Sequence, residues 1–397
     1  MPHPRPLPLP TSRLHALLAL ATLCVAGPAQ ADPNPYFIGS SVTLRHDSNV
    51  FRLPDSTADT SYGLALIGGI DQPIGRQRIY ASGTVQDTRF QDLKRLDHTN
   101  YSARAGIDWA TIYSLSGTLN HTRSQSLFNY GGNSTVNSTA RNLERRSESV
   151  ASIRYGMASL FSLDSSYTRR KLSYTDAAFQ VNALDQDAVS AGLTYRPRDS
   201  LTLGTALRFT EGKSRNEREF TRRDIDLTAN WVPTGLSSIN ARLSYGKRKE
   251  SSGVSAFDFT GATGQLRWRY QPTGKLTFTT QLSRDTGDES GFINGQNAGT
   301  FGDESRRTTA LSVATVYALS AKIRVDLNLY ANRRALIQGP FSGRDSLRNA
   351  SLGATYTPWR SVSLSCNVSR DSRSASGQVS FDYGNNSVSC SAQVTLQ

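Results

Sequence analysis

Beyond its first 31 residues the chain carries three histidines, His46, His98 and His121. A histidine beside a serine can act as its base in hydrolysis. His121 is followed by Thr122, Arg123 and Ser124, which outlines such a pair, but no second histidine or acid falls at a matching spacing. Three scattered histidines do not form a metal site, and no phosphate-cradling glycine loop is present. The sequence thus offers no catalytic residue, no metal ligand and no cofactor site. A protein that is not an enzyme is expected.

The side chains that do recur in a pattern are arginines. Arg104, Arg154, Arg208, Arg242, Arg267, Arg269 and Arg324 each stand between apolar neighbours. Guanidinium groups bind carboxylates and phosphates. To collect them on one surface, an element must turn their neighbours to the other. A β-strand does this, because its side chains alternate between two faces. The stretch "GQLRWRYQPTGKLTFTTQLSRD", residues 264–285, shows the arrangement: Leu266, Trp268 and Tyr270 alternate with Gln265, Arg267 and Arg269. A Pro-Thr-Gly turn follows, and the alternation resumes at Leu276, Phe278, Thr280 and Leu282. This is a hairpin with one apolar and one polar face.

About eighteen such period-two segments, beginning at Tyr36, run to the end of the chain. Their connections alternate in kind. One set is short, such as "QPIGR", "WVPTGLS", "YQPTGK" and "YTPWRS"; the other is long and rich in Gly, Asn and Ser, such as "SLFNYGGNSTVNSTARNLERR". Outer-membrane barrels have short periplasmic turns and long external loops, whereas a soluble sandwich has no reason to sort them. All four tryptophans, Trp109, Trp231, Trp268 and Trp359, lie beside short turns, as an interfacial girdle would. The expected fold is therefore all-β: a transmembrane antiparallel up-and-down barrel of about 18 strands. An even number closes the sheet and puts both termini in the periplasm, and about eighteen strands leave a water-filled lumen.

The chain's ends and composition fit this reading. Arg5 and Arg13 precede the apolar run "LHALLALATLCVAG" and the sequence "AQA" ending at Ala31, the order of a secretory signal peptide. Residues 1–31 are expected to be that signal, and 32–397 a single barrel domain. The mature chain would hold 43 basic and 32 acidic residues. A mean hydropathy of −0.44 decides nothing, since half of every barrel strand faces water. Nucleic acid is not expected as a partner of a secreted chain without a binding module.

Two readings of the inward arginines stay open: an anion-preferring lumen, or a belt of cross-strand ion pairs. Basic residues in the stretches "RNLERR", "KSRNERE" and "GKRKE" are read as loop residues that meet the phosphates of lipopolysaccharide. Cys366 and Cys390 survive processing. Pairing the last two strands by their apolar parity sets Val362 opposite Val394, Leu364 opposite Ala392, Cys366 opposite Cys390 and Val368 opposite Val388. A disulfide in the oxidising periplasm, or two unbonded lipid-facing thiols, would both fit.

Two motifs near the N-terminus carry a resemblance. Asp47-Ser48-Asn49-x-Phe51-Arg52 and Gly75-Arg76-Gln77-Arg78, with the hairpin rhythm behind them, resemble the EpsL-type outer-membrane barrels of exopolysaccharide operons that contain exosortase genes. The likeness covers about sixty residues. It implies a conduit for export of a secreted, acidic polysaccharide, working with a periplasmic polysaccharide-export protein, in contact with outer-membrane lipid and lipopolysaccharide. The alternatives are a general or oligosaccharide-specific porin, and a structural or adhesive barrel. The chain ends Val394-Thr395-Leu396-Gln397, without the final aromatic common in such barrels.

Overall fold

The computed structural model describes residues 34–397, apart from 131–137, 157–158, 215–217, 252–257, 287–304, 339–340 and 378–379. The signal peptide expected over 1–31 lies outside the described residues. The strands are β1 Tyr36–Asp47, β2 Asp59–Ile74, β3 Gln77–Phe90, β4 His98–Ala110, β5 Leu115–Leu127 and β6 Leu143–Tyr155. They continue as β7 Phe161–Tyr174, β8 Leu184–Arg198, β9 Leu201–Ser214, β10 Arg218–Thr234, β11 Ser237–Glu250 and β12 Phe259–Thr273. The last six are β13 Leu276–Asp285, β14 Ser305–Ala318, β15 Ile323–Gln338, β16 Phe341–Trp359, β17 Val362–Gly377 and β18 Tyr383–Leu396. Each strand pairs antiparallel with its chain neighbours, and β1 pairs with both β2 and β18. The sheet is a closed 18-stranded barrel with no free edge.

The apolar parity of the sequence faces outward. Ile225, Leu227, Leu243, Tyr245, Leu266 and Leu282 are all exposed on the outer wall, while Asp224, Asp226 and Ser244 on the alternate positions are buried. In lipid this outer band is the buried surface, and closure satisfies every backbone donor the bilayer cannot.

The short turns repeat one device. On β8, β10, β12 and β16 the register shifts just before the turn, between Tyr195/Arg198, Trp231/Thr234, Tyr270/Thr273 and Tyr356/Trp359. Each shift encloses a proline: Pro197, Pro233, Pro272 or Pro358. Proline has no N–H for the ladder, so a bulge is where a strand accepts it.

At the other end the strands run further than the sequence reading expects. "GKRKE" lies wholly within β11, most of "RNLERR" belongs to β6, and Lys213, Ser214, Arg218 and Glu219 of "KSRNERE" are strand, its residues 215–217 lying outside the described ones. These charged residues are on hairpin arms rather than in loops, because backbone pairing continues beyond the lipid band. On the final hairpin the ladder sets Val362, Leu364, Cys366 and Val368 against Val394, Ala392, Cys390 and Val388.

Candidate functional site

The inner wall is polar and crowded with charge on β6–β11. Arg208 is held between Asp224, at 3.2 Å, and Asp226, at 3.0 Å. Asp226 also accepts from Arg242 at 3.2 Å and from Ser244 Oγ at 2.5 Å. Arg222 reaches Asp224 at 2.9 Å and donates to Thr286 Oγ1 at 2.7 Å. Arg170 pairs with Glu148, and Arg154 with Asp164. On the far side of the barrel Arg334 and Arg373 converge on Asp345, and Arg324 meets Asp326 at 3.2 Å. Four of the seven arginines singled out from sequence, Arg154, Arg208, Arg242 and Arg324, thus have a carboxylate partner.

The other three differ. Among the described residues, no carboxylate lies within ion-pair distance of Arg104, Arg267 or Arg269. Arg267 and Arg269 share the inward parity of β12, opposite Gln281 and Thr279 of β13. Arg104 stands 5.2 Å from the centre of the Tyr80 ring, which Arg78 approaches at 5.1 Å. Asn120 donates to the Tyr80 hydroxyl at 2.7 Å. The Tyr80 hydroxyl and ring edge lie where a side chain at position 106 would project, so Gly106 makes room for them. Beyond this stack a cavity of about 670 Å³ runs along β4–β10, walled mostly by Ser, Thr and Gly, with Arg76, Asp108, Arg154 and Asp164 as its charged groups.

The long-loop end of the lumen is built differently. Val50, Phe51, Phe90, Leu96, Phe128, Tyr130, Leu172, Tyr174, Phe179, Leu184 and Phe220 form a buried apolar cluster. It draws on the connections after β1, β3, β5 and β7, and on the inner faces of strands as far round as β10. Phe51 meets Tyr130 edge-on at 5.4 Å, and Phe128 packs against Tyr130, Tyr174 and Phe179. Tyr130 donates to the Ala140 carbonyl at 2.5 Å, and burial pushes its phenol up to about 12, so it remains a donor at physiological pH. Apolar side chains that meet here narrow the mouth.

The first motif fastens this arrangement. Asn385 Oδ1 accepts from the Asn49 backbone N–H at 2.9 Å, and Asn49 Nδ2 donates to the carbonyls of Leu53 and Gly384 at 2.7 and 3.0 Å. Arg52 reaches Asp47 at 3.1 Å and Asp371 at 3.3 Å, and it also donates to the carbonyls of Asn49 and Val50. Its φ of 53° turns the chain sharply enough to drive Phe51 into the cluster. The second motif ties neighbouring turns at the opposite end. Gly75, at φ 61°, forms the β2–β3 turn; Arg76 donates to Thr111 O, and Gln77 bonds both backbone groups of Ala110. Arg78 pairs with Asp71 at 2.6 Å and Asp108 at 3.6 Å. Sequence reasoning found both motifs and missed the partners Asp371 and Asn385, because they lie more than 300 residues away.

The remaining predicted residues are placed as follows. Trp231, Trp268 and Trp359 are exposed at the short-turn end, and Trp109 lies half-buried against Gly117. Cys366 and Cys390 are joined by a disulfide, with Cα atoms 4.1 Å apart. His121 is bonded to Ser149 at 2.8 Å, on the face opposite to Ser124. The Ser–His outline in the sequence therefore does not assemble.

No family profile and no curated protein sequence matches the chain. Solved structures do. OpdK of Pseudomonas aeruginosa superposes with a TM-score of 0.52 at 12% identity, covering 91% of this chain and 99% of that one. OpdO of the same organism gives 0.53 at 14%, covering 91% and 98%. OccK2 (OpdF), also from that organism and solved in complex with glucuronate, gives 0.53 at 11%, again covering 91% and 98%. At these identities what is shared is the fold. It is the outer-membrane porin fold. A closed barrel of this kind, with its apolar outer band, belongs in the outer membrane of a Gram-negative cell.

Proposed function

We propose that the protein is a passive, porin-like channel for small polar solutes, with a preference for anions. The observation that carries this reading is the contrast between the two ends of the lumen. A hydroxyl-lined cavity runs along the wall of β4–β10 on the short-turn side, while an aromatic cluster gathers at the mouth on the other. Such a path suits a compact solute better than a polymer. The preference for anions rests on Arg104, Arg267 and Arg269, inward arginines with no carboxylate within ion-pair distance among the described residues. Glucuronate, the ligand in the OccK2 complex, is a compact carboxylate of the kind this wall would accommodate.

The test is ion selectivity in planar bilayers. The wild-type channel should show a reversal potential favouring chloride over potassium in a salt gradient. Arg104→Glu with Arg267→Glu and Arg269→Glu should carry it toward potassium. An unchanged reversal potential in a well-assembled triple variant would reject the basic-lumen account.

Export of an acidic polysaccharide, with a periplasmic export protein as partner, is the second reading. The two motifs that resemble exopolysaccharide barrels favour it. Loss of cell-surface polymer on deletion of this protein, restored by the wild type, would move the balance that way.

A further inference from the structure

We infer that the outer wall of β10–β17, at the long-loop end, is a binding surface for the phosphate groups of an outer-leaflet glycolipid. The surface begins where the apolar band stops. Arg223 is the next outward residue beyond Ile225 toward the loops, as Lys247 is beyond Tyr245 and Arg284 beyond Leu282. Further round, Arg333 and Arg348 stand four residues from Leu329 and Leu352 on the same face. All five are exposed, as is Lys249. The basic residues thus mark one level around half the barrel.

Among the described residues, none of the six has a carboxylate within ion-pair distance. Among the described residues at this end, Lys213 of β9 holds the outward carboxylate of Glu219 at 3.3 Å, and Asp258, just before β12, accepts from the Glu250 backbone N–H. Outward cations of β3 and β7, in the opposite half of the wall, are arranged otherwise, although Arg123 of β5 and Arg145 of β6 have no carboxylate within ion-pair distance among the described residues. Arg169 reaches Asp185 at 3.6 Å and Asp187 at 4.0 Å, Lys171 reaches Asp185 at 3.7 Å, and Arg89 meets Asp87 at 2.7 Å.

The register makes the β10–β17 half costly without an anion. Arg223 and Lys247 are direct cross-strand partners, and like charges directly opposite each other destabilise a sheet. Arg284 and Arg333 flank Thr309, each as its direct partner, which puts their Cα atoms about 10 Å apart at the usual strand spacing. That is near the ~8–10 Å screening length of physiological salt, so their fields add. A phosphate set between two such residues removes the repulsion and accepts bidentate bonds from the guanidinium. At the outer boundary of an apolar band, lipid-borne phosphates occur at high density and at this height. Sequence reading placed the lipopolysaccharide contacts in loops; the geometry places them on strands.

The experiment uses the mature barrel folded in dodecyl maltoside, titrated with bisphosphorylated lipid A in the same detergent while thermal unfolding is followed. Lipid A should raise the midpoint, and dephosphorylated lipid A and millimolar inorganic phosphate should not. Arg223→Gln/Lys247→Gln/Arg284→Gln/Arg333→Gln should weaken the apparent affinity at least tenfold. Arg169→Gln/Lys171→Gln, on the opposite half, should leave it within twofold. Should the fourfold variant fail to assemble, Arg223→Gln/Lys247→Gln alone should still weaken binding at least threefold. Equal stabilisation by dephosphorylated lipid A, full competition by inorganic phosphate, or wild-type affinity in the β10–β15 variants would each overturn the proposal. It rests on the barrel's orientation and not on what passes through it, so the bilayer recordings above can fail independently.

Discussion

At the scale of single residues, the inward arginines divide into two kinds that sequence alone does not distinguish. Arg242 and Arg267 are both set between apolar neighbours, yet Arg242 is committed to Asp226 and Arg267 meets no carboxylate among the described residues. Which arginine finds an acid depends on strand register, and so on residues distant in the chain. The two kinds should respond differently to mutation. Asp226 takes bonds from Arg208, Arg242 and Ser244 in a buried setting. Asp226→Ala takes one carboxylate from both Arg208 and Arg242, and breaking a buried pair from one side costs about 3–5 kcal/mol. Denaturant unfolding in detergent micelles should show a loss of that order. Arg267→Glu, by contrast, should shift stability by no more than about 0.5 kcal/mol while moving ion selectivity. A stable Asp226→Ala barrel would mean that the network is solvated rather than structural.

At the scale of elements, strand number and facing were legible because period-two patterning is local. The eighteen strands start at Tyr36, and the parity of β17 and β18 was sufficient to pair Cys366 with Cys390. Peptide mapping by mass spectrometry without reductant should recover the Cys366–Cys390 crosslink in protein from the oxidising periplasm. Two free thiols in such material would count against the bond. The Pro-bearing short turns were legible for the same local reason. The long-loop end was not. Phe51 is buried because Asn49 and Arg52 reach β17 and β18 across the barrel closure, and nothing in a local window announces that contact. Charged runs at strand ends misled for a related reason: polarity suggests loop, whereas backbone pairing carries the hairpin arms beyond the membrane. The orientation can be checked at this scale. A protease site inserted after Thr139, between β5 and β6, should be cut on intact cells, and one at Thr273 should be protected. Cleavage at Thr273 alone would invert the barrel.

At the scale of the whole molecule, the outer wall settles where the barrel sits, and in the proposed channel the mouth would set what enters. The strands are held by a continuous ladder of backbone bonds, whereas the cluster around Phe51 and Phe179 is held by side-chain packing within the mouth. The two should therefore come apart separately. Truncating a buried phenylalanine costs about 3–5 kcal/mol in the packing it belongs to. In Phe51→Ala/Phe179→Ala that loss falls on the inward-folded connections, so the barrel should retain its heat-modifiable mobility on gels. Single-channel conductance should rise severalfold, and liposome-swelling assays should admit larger neutral sugars than the wild type does. Selectivity should change little, because Arg104, Arg267 and Arg269 lie outside the cluster. If conductance and the size limit both stay at their wild-type values, the mouth is not the narrowest point. The limiting section would then lie deeper, beside the cavity where Arg154 and Asp164 face each other.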